Sequence, residues 1–190
     1  MIDTRFSGSE TEILRKIVGE KLIFIESTEV DEWSRIYGNV VIGTETAVLE
    51  IRNEVEEVPY FDATEDISVF HIRIIDENHK YAPMILGIPI KKQIINSIIN
   101  EIMIIEDEIT ILNSMEEIVY RAIFDTALVI KTEHNNYIFS RGWYFGEEIL
   151  FHTGKNYSQW IYSENKIIHD WSDDELNYTV KCCRKEKILK

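Results

Sequence analysis

Two nearly identical pentapeptides, VIGTE at 41–45 and VIKTE at 129–133, constrain the architecture of this chain more than any other feature. A five-residue match alone carries little weight, but the blocks around it recur in the same order. Upstream, "ILRKIVGEKLIFIE" (13–26) and "IINSIINEIMIIE" (94–106) each open on an apolar pair. Each places a second pair, at Ile17-Val18 or Ile98-Ile99, and then meets a glutamate, Glu20 or Glu101. Downstream, Tyr-Phe, an acid pair followed by Ile, and a closing Phe appear in both "YFDATEDISVF" (60–70) and "YFGEEILF" (144–151). Matched positions such as Ile13/Ile94, Val41/Val129 and Glu65/Glu147 lie roughly 80–90 residues apart, and self-similarity at one spacing marks a repeated structural unit. The chain is therefore expected to hold two tandem, pseudo-symmetric repeats over 1–80 and 81–190. The joint between them falls in "ENHKYAPMILGIP" (77–89), where Pro83, Gly87 and Pro89 gather.

Each repeat reads as one helix followed by an antiparallel sheet of about four strands, an α+β class. In the first repeat, Ile13, Leu14, Ile17 and Val18 fall at helical spacing, with Gly19 as the stop. "KLIFIE", "NVVIGTE", "AVLEIRN" and "DISVFHIRIID" then read as strands, being rich in β-branched and aromatic residues. In the second repeat, "PIKKQIINSIINEI" takes the helix place and "IMIIEDEITIL" the first strand. "TALVIKTE" and "NYIFSRG" form a hairpin across "HNN", and "EEILFHTG" is the next strand. "SQWIYSENKIIHDW" is expected as a further hairpin, and the tail "CCRKEKILK" as a frayed end or short strand.

Composition narrows the partners. The net charge is −14, from 34 acidic against 20 basic residues, so nucleic acid and anionic membrane surfaces are repelled and a basic protein is favoured. The two cysteines, Cys182 and Cys183, are adjacent, which rules out a disulfide framework and points to a reducing compartment. The N-terminus lacks an apolar leader core, and charged and amide residues interrupt the long apolar run at 91–112, so the chain is expected in the cytoplasm. Oligomeric state is left open.

No catalytic constellation stands out. Gly154-Lys155 lacks the rest of a phosphate loop, and the chain has only 8 glycines. His71, His79, His134, His152 and His169 are scattered without metal-ligand spacing, so no metal or cofactor is expected. The acid pairs Glu65-Asp66 and Glu147-Glu148 alternate across a strand and do not aim at one substrate.

What remains is surface. Acids cluster at 26–33, at 52–66 and at 169–175, and aromatics stand among them. "RGWYFGEE" (141–148) adds Trp143, Tyr144 and Phe145. Aromatic anchors ringed by acids suit the recognition of a basic surface. The expected contact set is Glu54, Glu56, Glu57, Tyr60, Asp62, Glu65, Asp66, Trp171, Asp173, Asp174 and Glu175. The expected function is that of a non-enzymatic acidic protein that binds and blocks a basic protein partner, such as a toxin domain, in the manner of bacterial immunity proteins. One alternative is a ligand-binding or catalytic cleft between the repeats, using His71, Arg73, Arg141 and His152. Another is a purely structural domain.

Overall fold

A computed structural model describes residues 1–61, 63–76, 87–142, 146–172 and 178–190. Its strands are β1 (Ile2–Thr4), β2 (Lys21–Thr28), β3 (Arg35–Ile36), β4 (Val40–Gly43), β5 (Val48–Tyr60), β6 (Ala63–Ile75), β7 (Ile90–Leu112), β8 (Ile118–Thr132), β9 (Asn136–Arg141), β10 (Ile149–Thr153) and β11 (Thr179–Leu189). Its helices are α1 (Gly8–Lys16) and α2 (Glu164–Trp171). One sheet runs in the order β3-β10-β9-β8-β7-β2-β4-β5-β6, with β1 parallel to β8 and β11 antiparallel to β7. The fold is thus mostly antiparallel β, and the expected α+β pair of repeats, each with a helix ahead of its sheet, does not hold. The joint expected at 77–89 falls largely on 77–86, outside the described residues.

α1 forms where its signals are strongest. Ser7 and Glu10 make a reciprocal capping box, Arg15 and Lys16 sit at the C-terminal end, and Leu14 is buried. The segment expected as the second helix is instead the first half of β7. Its apolar spacing imitates a helix because the strand changes phase twice. Asn96 sits at φ 55, and the pairing slips between Leu22 and Phe24 on one edge and between Ile99 and Glu101 on the other. Across the slip at Ile99/Glu101 the buried set moves from Ser97 and Ile99 to Ile102 and Ile104, the other parity. The run is also dominated by Ile, whose branched Cβ suits a pleated surface.

β7 is the spine. Residues 90–98 pair with β2, residues 99–112 pair with β8, and residues 102–112 lie between β8 and β11. The tail expected as a frayed end or short strand lies, up to Leu189, within a fully paired strand of 11 residues. The hairpin expected at 158–171 is a 3-10 turn (Ser158–Trp160) followed by α2, which Ser163 caps by accepting the Lys166 N–H.

The sheet curls on itself. Ile36 of β3 and Ile72 of β6, from its two ends, share one core with Leu14, Leu22, Ile104, Leu128 and Phe139. A second core gathers Ile109, Ile111, Phe124, Ile167 and Trp171 beneath α2. Ile161 closes a third patch over Met103, Val129 and Ile138. β8 is consequently buried on both faces from Ala122 to Ile130.

Candidate functional site: the end of the β5–β6 hairpin

β5 and β6 pair continuously from Val48↔Ile75 to Tyr60↔Ala63. β4 covers β5 only as far as Ile51, so the hairpin extends beyond the sheet that starts it. Its buried face changes along its length. Near the sheet, Leu49, Ile51, Phe70 and Ile72 face the main core. Toward the end, Val58 and Ile67 face the core under α2. The open edge of β6 is covered by side chains: Glu10 of α1 accepts the Ile72 N–H at 2.9 Å, and Arg141 donates to the Ser68 carbonyl.

An ionic ladder stiffens the base. Glu50 is buried and accepts from Arg52 (2.9 Å), Arg73 (2.5 Å) and Asn39 (2.6 Å). Despite the desolvation that opposes it, these donors hold the Glu50 carboxyl below its ordinary value. Arg52 also reaches Glu54 at 2.8 Å, and His71 lies 2.8 Å from Glu56 and 3.5 Å from Glu10.

Beyond the ladder the charges lose their partners. Glu57 lies directly opposite Asp66, and Glu65 opposite Val58. Glu57, Glu65 and Asp66 are exposed and have no ion-pair partner among the described residues. Like charges facing each other across two strands cost stability, so this end of the hairpin is not tuned for stability alone.

The aromatics of the expected contact set anchor the hairpin. Tyr60 packs edge-on to Phe61, Tyr120 and Trp171, with ring centroids 4.9, 5.1 and 6.0 Å apart. Tyr120 donates to the Pro59 carbonyl. Trp171, read from the sequence as a surface anchor, is only 8% exposed and packs on Phe124 at 5.6 Å. Phe61 stacks on Tyr120 at 4.8 Å and on Tyr178 at 6.1 Å and stays 41% exposed, the one ring of this cluster offered to solvent among the described residues.

Of the expected contacts, the structure brings Glu54, Glu56, Glu57, Tyr60, Glu65 and Asp66 onto one hairpin and packs Trp171 behind it. Asp62, Asp173, Asp174 and Glu175, with Trp143, Tyr144 and Phe145, lie outside the described residues. The four residues of the alternative cleft have separate duties. His71 and Arg73 belong to the ladder, and Arg141 is buried between the rings of Phe70 and Phe124. His152 stacks on Trp160 at 4.2 Å, where burial pulls its pKa down. Among the described residues, no group of three or more His, Cys, Asp or Glu could hold a metal ion, and no helix is long and apolar enough to cross a membrane.

Sequence reasoning missed the buried acids Asp107 and Asp125. Asp125 stands alone in "AIFDTALVI" (122–130), and an isolated carboxylate in such a run is the signal that could have found it; Asp107 sits between Glu106 and Glu108, and nothing in the sequence sets it apart from them. Asp107 is fully buried and is held by both arms of Arg184 at 2.7 and 2.8 Å and by the Thr126 hydroxyl at 2.6 Å.

No family model, curated protein or solved structure matches this chain.

Proposed function

We propose that this is a non-enzymatic binding protein that grips a basic protein partner with the end of its β5–β6 hairpin and blocks it by occlusion, as an immunity-type inhibitor does. The observation that carries the reading is the triplet Glu57, Glu65 and Asp66, exposed on a paired hairpin with no cation beside any of them among the described residues. The net charge of −14 extends the same field and steers a cationic surface toward the protein. The packed rings of Tyr60, Tyr120 and Trp171 hold the hairpin in one conformation, which lowers the ordering cost of binding. Phe61 supplies an apolar anchor beside the acids.

The test compares two equally charged variants. Glu57→Lys, Glu65→Lys and Asp66→Lys together reverse the hairpin end, whereas Glu32→Lys, Glu133→Lys and Asp170→Lys reverse exposed acids elsewhere. Each is immobilised, exposed to native cytosol at low salt and eluted with a salt gradient. The expected result is a basic protein retained by the wild type and the second variant and lost from the first. Retention of the same protein by both variants, or of no basic protein by the wild type, overturns the reading.

A further inference from the structure

A polar cavity of about 410 Å3 opens where the chain passes from β1 into α1 across β7, β8 and β11, lined by Asp3, Arg5, Ser7, Glu106, Asp125 and Lys187. That volume is within the roughly 300–1,000 Å3 usual for small-molecule sites. Two carboxylates face each other in its wall: Asp125 on β8 is the direct partner of Glu106 on β7, beside a bulge between Ile105 and Glu106.

Asp125 is the unusual member. It is 4% exposed, yet its only hydrogen bond is from the Phe6 N–H at 2.5 Å, and no cation lies within ion-pair distance among the described residues. A buried carboxylate left without a cation is costly in the free protein. Burial pushes its pKa up to about 6, against the bond from the Phe6 N–H; Glu106 adds to that rise, and the charges of Arg141 and Lys187 oppose it. A strongly perturbed acid in the wall of a cavity is a candidate functional group.

The cations around it are unequally committed. Arg5 gives two bonds to Asp3, at 2.8 and 2.5 Å, and lies 3.5 Å from Glu106, which Lys185 approaches to 3.8 Å while bonding Glu108 at 2.9 Å. Lys187 is exposed and has no ion-pair partner among the described residues. A metal ion fits poorly, since no three candidate ligands come together among the described residues. A primary ammonium fits better: its three donors can bridge two facing carboxylates, and its charge relieves their repulsion.

We propose that this cavity binds a small aliphatic zwitterion, with its primary ammonium between Asp125 and Glu106 and its carboxylate on Lys187. The site shares no residue with the hairpin end, so it stands independently of the partner-binding reading.

Calorimetric titration of the full chain near neutral pH tests it with four probes: β-alanine, its longer homologue γ-aminobutyrate, propylamine and propionate. The expected result is saturable binding of at least one of the two zwitterions, weaker binding of propylamine and none of propionate. Asp125→Asn, whose amide oxygen can still accept the Phe6 N–H, is expected to weaken zwitterion binding by about tenfold or more, the worth of a charged hydrogen bond. Lys187→Ala is expected to bring the zwitterion down to the affinity of propylamine while leaving propylamine unchanged. Both variants are checked for cooperative melting. The proposal is overturned by no saturable heat from either zwitterion, by propionate binding as well as they do, or by an affinity indifferent to Asp125→Asn in a folded variant.

Discussion

At the scale of single residues, the two pentapeptides, VIGTE and VIKTE, do the same local work. Thr44, just past β4, and Thr132, the last residue of β8, each donate N–H and hydroxyl to the carbonyl three residues on, at Ala47 and Asn135, and accept that residue's N–H. Where the strings differ, the surroundings differ. Gly43 lies under the Phe24 ring, which a Cβ would meet at 2.1 Å, whereas Lys131 reaches Glu101 at 2.7 Å. Gly43→Ala is therefore expected to cost about 1–3 kcal/mol, the usual penalty for overpacking, measured by denaturant melts. Asp125 gives a pH-dependent expectation. Its folded pKa is about 6 against an ordinary 3.8, so its contribution is fully present below pH 3.8 and is lost as pH rises through 6. A rise of that size corresponds to about 3 kcal/mol of stability lost by neutral pH. Glu106, Arg141 and Lys187 face it from β7, β9 and β11 and modulate the midpoint. Asp125→Asn should melt above the wild type at neutral pH, with the gap closing toward pH 4; a gap that widens on acidification contradicts this.

At the scale of elements, the buried pair Asp107–Arg184 ties β7 to β11, and Arg184 also donates to the Tyr162 carbonyl at 2.7 Å ahead of α2. Glu164 of α2 accepts the Arg184 N–H at 3.2 Å. Arg184→Ala leaves Asp107 buried without its main partner and is expected to cost about 3–5 kcal/mol by thermal or denaturant melting. A loss under about 1 kcal/mol, the scale of an exposed pair, contradicts that burial. The alternate β11 amides between Val180 and Ile188 that bond β7 are likewise expected to resist deuterium exchange, because β11 pairs with the C-terminal half of β7 along its whole length. Rapid exchange there would restore the frayed tail that charge alone suggested. The sequence hid β11 because Lys181, Arg184, Lys185 and Lys187 crowd it. Arg184 and Lys185 meet Glu106, Asp107 and Glu108 across the strand pair, which a one-dimensional reading cannot see. It hid β7 because two phase changes in an Ile-rich strand reproduce helical spacing, and α2 because Ser163, inside the expected hairpin, caps a helix.

At the scale of the whole molecule, what was legible was local. The hairpins β4–β5 and β8–β9 fall where turn residues separate apolar runs, and α1 falls at its cap. What was not legible was the closure of the sheet, which depends on β3 crossing to β10 and on partners distant in sequence. The same holds for the site. Acids at 54–66 could be read as a cluster, but not which of them stay unpaired. Glu50, Arg52 and Arg73 satisfy one another, while Glu57, Glu65 and Asp66 are left to solvent. On this account the hairpin end is the binding surface and the rest of the sheet is its support. Deuterium exchange of the protein with and without the captured basic partner tests that claim most directly. The expected result is slowed exchange confined to the hairpin around 54–66 and the neighbouring residues of β8 near Tyr120. Unchanged exchange at 54–66, with protection falling on another face of the sheet, would contradict it.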